Sequence, residues 1–174
     1  GVNDYQFLRN LGANVGMDLD SGSSEDAGKL LFRKPDLTSE PRVVVCREKK
    51  EPIEAKHALN AEFRLSTVQQ VARVEVRGWD SQKKEPILGV AEEVSEAFAG
   101  LSGAQTAGQA HYGAQSAGRV LTIIDLPVAC QEEADNLAAS IFDRHALDFM
   151  TADVSIQGIP ELTAGDIVEL RQFG

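Results

Sequence analysis

Leu59-Asn60-Ala61-Glu62-Phe63-Arg64-Leu65, followed by Ala72-Arg73-Val74-Glu75-Val76-Arg77, alternates apolar and polar side chains at every step. A period of two puts one set of side chains on each face of an extended chain, so both stretches read as half-buried antiparallel strands. The second runs into Gly78-Trp79-Asp80 and the polar turn Ser81-Gln82-Lys83-Lys84, after which Pro86-Ile87-Leu88-Gly89-Val90 resumes extended structure. Upstream, Val43-Val44-Val45-Cys46 predicts a further buried strand. Residues 16–20 and 29–33 flank the polar, glycine-containing stretch 21–28, which predicts a hairpin with a loose loop.

Two helices frame these strands. Asn3-Asp4-Tyr5-Gln6 reads as a helix start, with the Asn3 side chain capping the Gln6 amide and Gln6 reaching back. Phe7, Leu8, Leu11 and Val15 then fall on one face, and the helix should end near Gly12 or Gly16. From 91 to 118 the composition turns to Ala, Gly, Gln and Ser, the best linker in the chain, with a short helix possible over 92–99. Beyond it, 120–124 predicts a strand and 131–149 a helix. The helix stripe is Ala134, Leu137, Ala138, Ile141, Phe142 and His145. Alternation over 152–156 and the run 166–170 supply two last strands.

The expected fold class is therefore α+β: antiparallel, partly barrel-like β-sheet segments with two packed helices, about 4–14 and 131–149. The expected organisation is a helix plus strands over 1–90, a linker over 91–118 and a strand-helix-strand unit over 119–174. Trp79 reads as core, since large aromatics usually bury most of their surface.

The 174 residues can bury a real core, and 43% hydrophobic with 25% charged residues is the composition of an ordinary globular protein. Net charge is −10, unevenly placed: residues 1–87 carry 14 basic and 14 acidic side chains, residues 88–174 carry 3 and 13. An acidic half argues against gripping a nucleic-acid backbone, which needs clustered Lys and Arg. It reads as a solvated face that aids solubility. No stretch reaches the roughly 18 apolar residues of a membrane helix. Two cysteines, Cys46 and Cys130, are too few for a disulfide framework or a zinc site, and read as buried thiols in a reducing, cytoplasmic compartment. The first residue is Gly1, so the chain is expected to be a segment of something longer.

Chemistry-bearing constellations fail one by one. Gly100-Leu101-Ser102-Gly103 lacks the second glycine of a nucleophile elbow. Cys46 sits in a Val-rich run, unlike the electropositive, partly exposed setting of a reactive thiol, so pairing it with His57 carries little. His57, His111 and His145 show no metal-ligand spacing, and His145 reads as a core or boundary histidine. Asp18-Leu19-Asp20-Ser21-Gly22 opens like a calcium loop, but Ser23 and Lys29 stand where glycine and glutamate are required. Glu92-Glu93 and Glu132-Glu133 are neighbours that cannot face one substrate. No phosphate-cradling glycine motif occurs. No catalytic residue, metal ligand or cofactor is assigned.

Three stretches together resemble the phage late control D and VgrG-type hub family of contractile tails and injection systems. They are Asn3 to Arg9 leading to Lys29-Leu30-Leu31-Phe32-Arg33-Lys34-Pro35; then Val74 to Asp80; then Gly158-Ile159-Pro160-Glu161-Leu162 with Gly165-Asp166-Ile167-Val168-Glu169-Leu170. The helix over 131–149 also resembles that family's Glu-Ala-Asp-rich helix. The resemblance spans nearly the whole chain, and its specificity lies in the combination and order of the motifs. Against that family's pattern the chain is expected to lack the earlier barrel region and to stop before the last strands and spike.

The resemblance implies a non-enzymatic baseplate hub component that trimerises, joins tail tube to spike, is made in the cytoplasm and ends in a virion tail or injection particle. It implies assembly or fold-motif roles for Phe7, Leu8, Phe32, Arg77, Gly78, Trp79, Asp80, Pro160, Gly165 and Asp166. Physically, Phe7 and Leu8 would dock a helix, Gly78 would permit a bend that places Trp79, and Gly165-Asp166 would turn the chain into a strand. Two other readings stand beside it: a protein- or glycan-binding module using Trp79 and Tyr112, and a hydrolase built on dispersed carboxylates.

Overall fold

A computed structural model describes residues 3–20, 28–35, 39–47, 56–95, 119–160 and 162–173. Along the chain these form α1 (Asp4–Asn14), β1 (Asp18–Asp20), β2 (Leu31–Arg33), β3 (Val43–Cys46), β4 (Lys56–Leu65), β5 (Arg73–Asp80), β6 (Glu85–Ala91), β7 (Val120–Ile123), α2 (Gln131–Leu147), β8 (Met150–Ile156) and β9 (Val168–Arg171). The strands make a β1-β2 hairpin, a four-stranded sheet of order β8-β4-β3-β9 and a three-stranded sheet of order β6-β5-β7. Among the described residues two helices with mixed and antiparallel sheets, one of them half-barrel-like, make an α+β fold.

The core forms where α2 crosses the three-stranded sheet. On β5, Val74 and Val76 point to one face and are wholly buried, joined by Ile87 and Ala91 of β6. The helix answers with Ala134, Leu137, Ala138 and Phe142, the spacing of one helical stripe, and Val128 closes the end. Each large apolar side chain withdrawn from water here contributes about 1.5–3 kcal/mol. Two glycines let the layers meet closely, Gly78 beneath Val128 and Gly89 beneath the main chain of Ala134.

Several expectations change in the structure. The sheets are not purely antiparallel: β3 runs parallel to both β4 and β9, and β5 runs parallel to β7, while β4-β8 and β5-β6 are antiparallel. Periodicity records which face a side chain takes and carries no information on the direction of the neighbouring strand. Trp79 is not core. Because Val74, Val76 and Gly78 take the α2 side of β5, Trp79 falls on the other face and is 59% exposed. Cys46 is buried but Cys130 is exposed, as the N-cap residue of α2. Residues 92–95 are not helical, and Ala91 belongs to β6 and the core. The remainder of the proposed 92–99 helix and of the 91–118 linker lies outside the described residues. So do Ser102, His111, Tyr112 and the loop 21–27.

Candidate assembly surface

α1 leaves both polar and apolar side chains exposed. Asn3 Oδ1 accepts the Gln6 amide at 2.7 Å, fixing the start. Gln6 does not reach back; its amide nitrogen donates instead to Asn10 Oδ1 at 3.2 Å. Gln6, Arg9, Asn10 and Ala13 line a groove of about 770 Å³ shared with Asn136, Ser140, Asp143 and Arg144 of α2. At 100° per residue Phe7 and Leu11 fall on another side of α1 and are 62% and 51% exposed, while Val15, the C-cap residue, also lines the groove and is 46% exposed. Gln6, Arg9 and Asn10 are exposed as well, and the helix is buried at Gly12, with Leu8 and Ala13 half-buried beside it. Arg144 Nη2 donates to the Ala13 carbonyl at 2.9 Å and Ser140 Oγ to the Asn14 carbonyl at 3.2 Å, tying the helix end to α2. Phe32 of β2, still 43% exposed, lies against Gly12, where a Cβ would stand 3.0 Å from its ring.

A second apolar face belongs to β4 and β8. The register pairs Ala61 with Val154, Phe63 with Ala152 and Leu65 with Met150 on one side, and Asn60 with Ser155, Glu62 with Asp153 and Arg64 with Thr151 on the other. The polar side is tied by Arg64 to Glu62 at 3.0 Å and to Asp153 at 3.5 Å. On the apolar side Leu65 is 66% and Met150 50% exposed, and Phe63 meets the ring of Phe173 at 5.3 Å. A bulge between Ala58 and Asn60 throws Leu59 out of the alternation. That shift was not legible in the sequence.

The outer face of the three-stranded sheet mixes apolar and charged groups. Trp79, Leu88 and Val90 are exposed there beside Glu75, which takes Arg73 at 2.9 Å and Arg77 at 2.8 Å. The Arg77 hydrogen bond holds the Glu75 carboxyl below its usual range against the opposing effect of desolvation. Asp80 ends the strand as a turn builder: its Oδ1 accepts the amides of Gln82 at 2.9 Å and Lys83 at 3.0 Å.

Pro160, Gly165 and Asp166 lie in the turn that enters β9. Gly165 has φ +94°, a left-handed conformation suited to glycine. Asp166 Oδ2 accepts the Thr163 amide at 2.7 Å and its hydroxyl at 3.0 Å, while Arg42 Nη1 stands 3.3 Å from Oδ1. The Thr163 amide is the main reason the Asp166 carboxyl titrates below its usual range. The sequence-derived residues thus sit in three different sheets: Phe32 in the hairpin, Arg77 to Asp80 in the three-stranded sheet, and Asp166 at the mouth of β9. None of them lines the groove between α1 and α2.

Among the described residues no group of three or more His, Cys, Asp or Glu side chains could hold a metal ion. In the groove, the nearly buried Asp143 carboxylate accepts the Ser95 amide at 2.8 Å, a structural role. His145 is half-buried, and desolvation lowers its pKa. Among the described residues no helix is long and apolar enough to cross a membrane.

No family model matches the chain, and no curated protein matches it in sequence. Its fold is similar to that of the tail protein from Neisseria meningitidis MC58, with TM-score 0.54 and 12% identity over 95% of this chain and 43% of that one. It is also similar to the 43 kDa tail protein of prophage MuSo2 from Shewanella oneidensis, with TM-score 0.55 and 16% identity over 97% of this chain and 44% of that one. The chain therefore spans less than half the length of either tail protein.

Proposed function

We propose that this chain is a structural part of a phage-tail or contractile-injection baseplate hub, acting as a homotrimer that joins tail tube to spike and has no catalytic role of its own. The observation that carries the reading is the likeness of fold to two phage tail proteins over 95% and 97% of the chain. The order of the three sequence motifs supports it. So does the surface, since Phe7, Leu11, Leu65, Met150 and Trp79 are each half or more exposed. Paired apolar groups such as Leu65 with Met150 are of the kind that an assembly component buries on contact. On this reading the chain is made in the cytoplasm and is built into a virion tail or injection particle.

Native mass spectrometry of the full-length gene product tests the stoichiometry, with a trimer expected. A strictly monomeric full-length protein, or one that fails to bind purified tube and spike proteins, would overturn the hub assignment. The exposure of Trp79 keeps a second, non-catalytic protein- or glycan-binding reading in play. A monomer that binds a glycan array through Trp79 would favour it.

A further inference from the structure

Asp143 of α2 is 7% exposed, yet the Ser95 amide engages only its Oδ1, at 2.8 Å. Among the described residues Oδ2 accepts no hydrogen bond. A nearly buried carboxylate is costly to leave half-served, so the second oxygen calls for a donor from outside the chain. Arg144 does not supply it, since its Nη2 donates to the Ala13 carbonyl at 2.9 Å. Room for an outside donor exists: Asp143 lines the groove of about 770 Å³ between α1 and α2, within the size range of small-molecule sites. The exposed part of the same lining has the opposite sign. Arg9 and Lys34 stand there with Asp18, which offsets one of them, and among the described residues none of the three is paired.

We infer that this groove binds a ligand with a cationic donor at one end and a carboxylate at the other. An ammonium or guanidinium would serve Asp143 Oδ2, and the carboxylate would meet Arg9 and Lys34, with Ala13, Ala139 and Leu147 giving apolar lining for the stem. A purely cationic ligand is a poorer fit, because the lining holds three cations, Arg9, Lys34 and Arg144, against two carboxylates. A purely anionic one would leave Oδ2 unserved and bring like charge toward it. Two sources carry this chemistry: a free amino acid whose charges are set apart, and a peptide segment with a basic and an acidic side chain. The site does not depend on the assembly reading above.

Chemical-shift titration of the nitrogen-labelled 174-residue chain tests it with three probes of one stem length. They are ε-aminocaproate, which has both charges, hexylamine, which has the ammonium alone, and caproate, which has the carboxylate alone. ε-Aminocaproate should shift the amides around Asn136, Ser140 and Asp143 and bind about tenfold tighter than either single-ended probe, the factor expected for one charged contact. Asp143→Asn keeps an oxygen for the Ser95 amide and should abolish the advantage over caproate. Arg9→Gln, at an exposed position, should narrow the advantage over hexylamine, and it carries the test alone if circular dichroism shows Asp143→Asn unfolded. Acetyl-Lys-Ala-Ala-Glu-amide, blocked at both ends, distinguishes the sources: tighter binding than ε-aminocaproate supports the site as a peptide site, weaker binding as one for a free amino acid. Three results would overturn the inference: no groove shift with any probe, which leaves the groove to water; equal binding of ε-aminocaproate and hexylamine; or an unchanged response in a folded Asp143→Asn chain. Each would leave the hub reading standing.

Discussion

Gly89 of β6 lies flat against the main chain of α2: a Cβ built on it would stand 2.2 Å from the Ala134 carbonyl oxygen. Backbone cannot rotate aside, so Gly89→Ala must push the helix off the sheet. Overpacking of this kind costs about 1–3 kcal/mol, which in a chain of this size lowers Tm by about 2–4 °C per kcal/mol. At Gly78 the added Cβ would meet Val128 Cγ2, also at 2.2 Å, but that obstacle is a side chain. Thermal unfolding should therefore show a smaller loss for Gly78→Ala, partly recovered by adding Val128→Ala. Equal losses at both positions would contradict this account.

Much of this core was legible beforehand. Val74 and Val76 alternate with charged neighbours, and Ala134, Leu137, Ala138 and Phe142 recur at helical spacing, so the two surfaces that meet are each written in one element. Their partners are not. Nothing in Val43 to Cys46 announces that β3 runs parallel to both β4 and β9, because strand direction is decided by connections and by the residues between. The α1 stripe was equally visible, yet its outward orientation was not, since periodicity identifies an apolar face without saying where its cover comes from. The same limit applies to Trp79, whose size suggested burial but whose face was fixed by its neighbours Val76 and Gly78. The exposed apolar faces were hidden for a shared reason: exposure belongs to the packed fold, and sequence carries only the pattern.

Two phenylalanines should respond oppositely to truncation. Phe142 is 5% exposed within the α2 core, so Phe142→Ala should cost about 3–5 kcal/mol of stability. Phe7 is 62% exposed on α1, and Phe7→Ala should change monomer stability by no more than about 0.5 kcal/mol. Urea unfolding of dilute, monomeric protein separates the two. A large loss for Phe7→Ala would mean that the α1 stripe already has an internal partner.

Acid should destabilise the fold in two stages. His145 has its pKa lowered, first by desolvation, so the unfolded chain binds its proton more readily. That contribution is complete above the ordinary histidine value of about 6.5 and is lost as pH falls below it. Asp166 and Asp80 are lowered mainly by the amides of Thr163 and Lys83. Their contribution is complete above the ordinary carboxylate value of about 3.9 and is lost as pH falls through their lower folded values. Tm measured from pH 8 to pH 2.5 should fall in both windows. His145→Gln should flatten the upper slope and Asp166→Asn the lower one, and a Tm unchanged across either window would contradict the corresponding assignment.

The single tryptophan turns the outer sheet face into a reporter. Trp79 is 59% exposed on a strand whose opposite face is sealed against α2, so its surroundings depend on whatever covers the β5-β6 face rather than on the core. In dilute protein its emission should be that of a water-exposed indole and readily quenched by acrylamide. Docking of a tail partner on this face should shift the emission to shorter wavelength and suppress quenching, since interface cores exclude water around their aromatic groups. Self-association through a surface other than this face should leave it unchanged. Titrating protein concentration first, and purified tube or spike protein second, assigns the two surfaces separately. A blue shift on self-association alone would move the contact between copies to the Trp79 face.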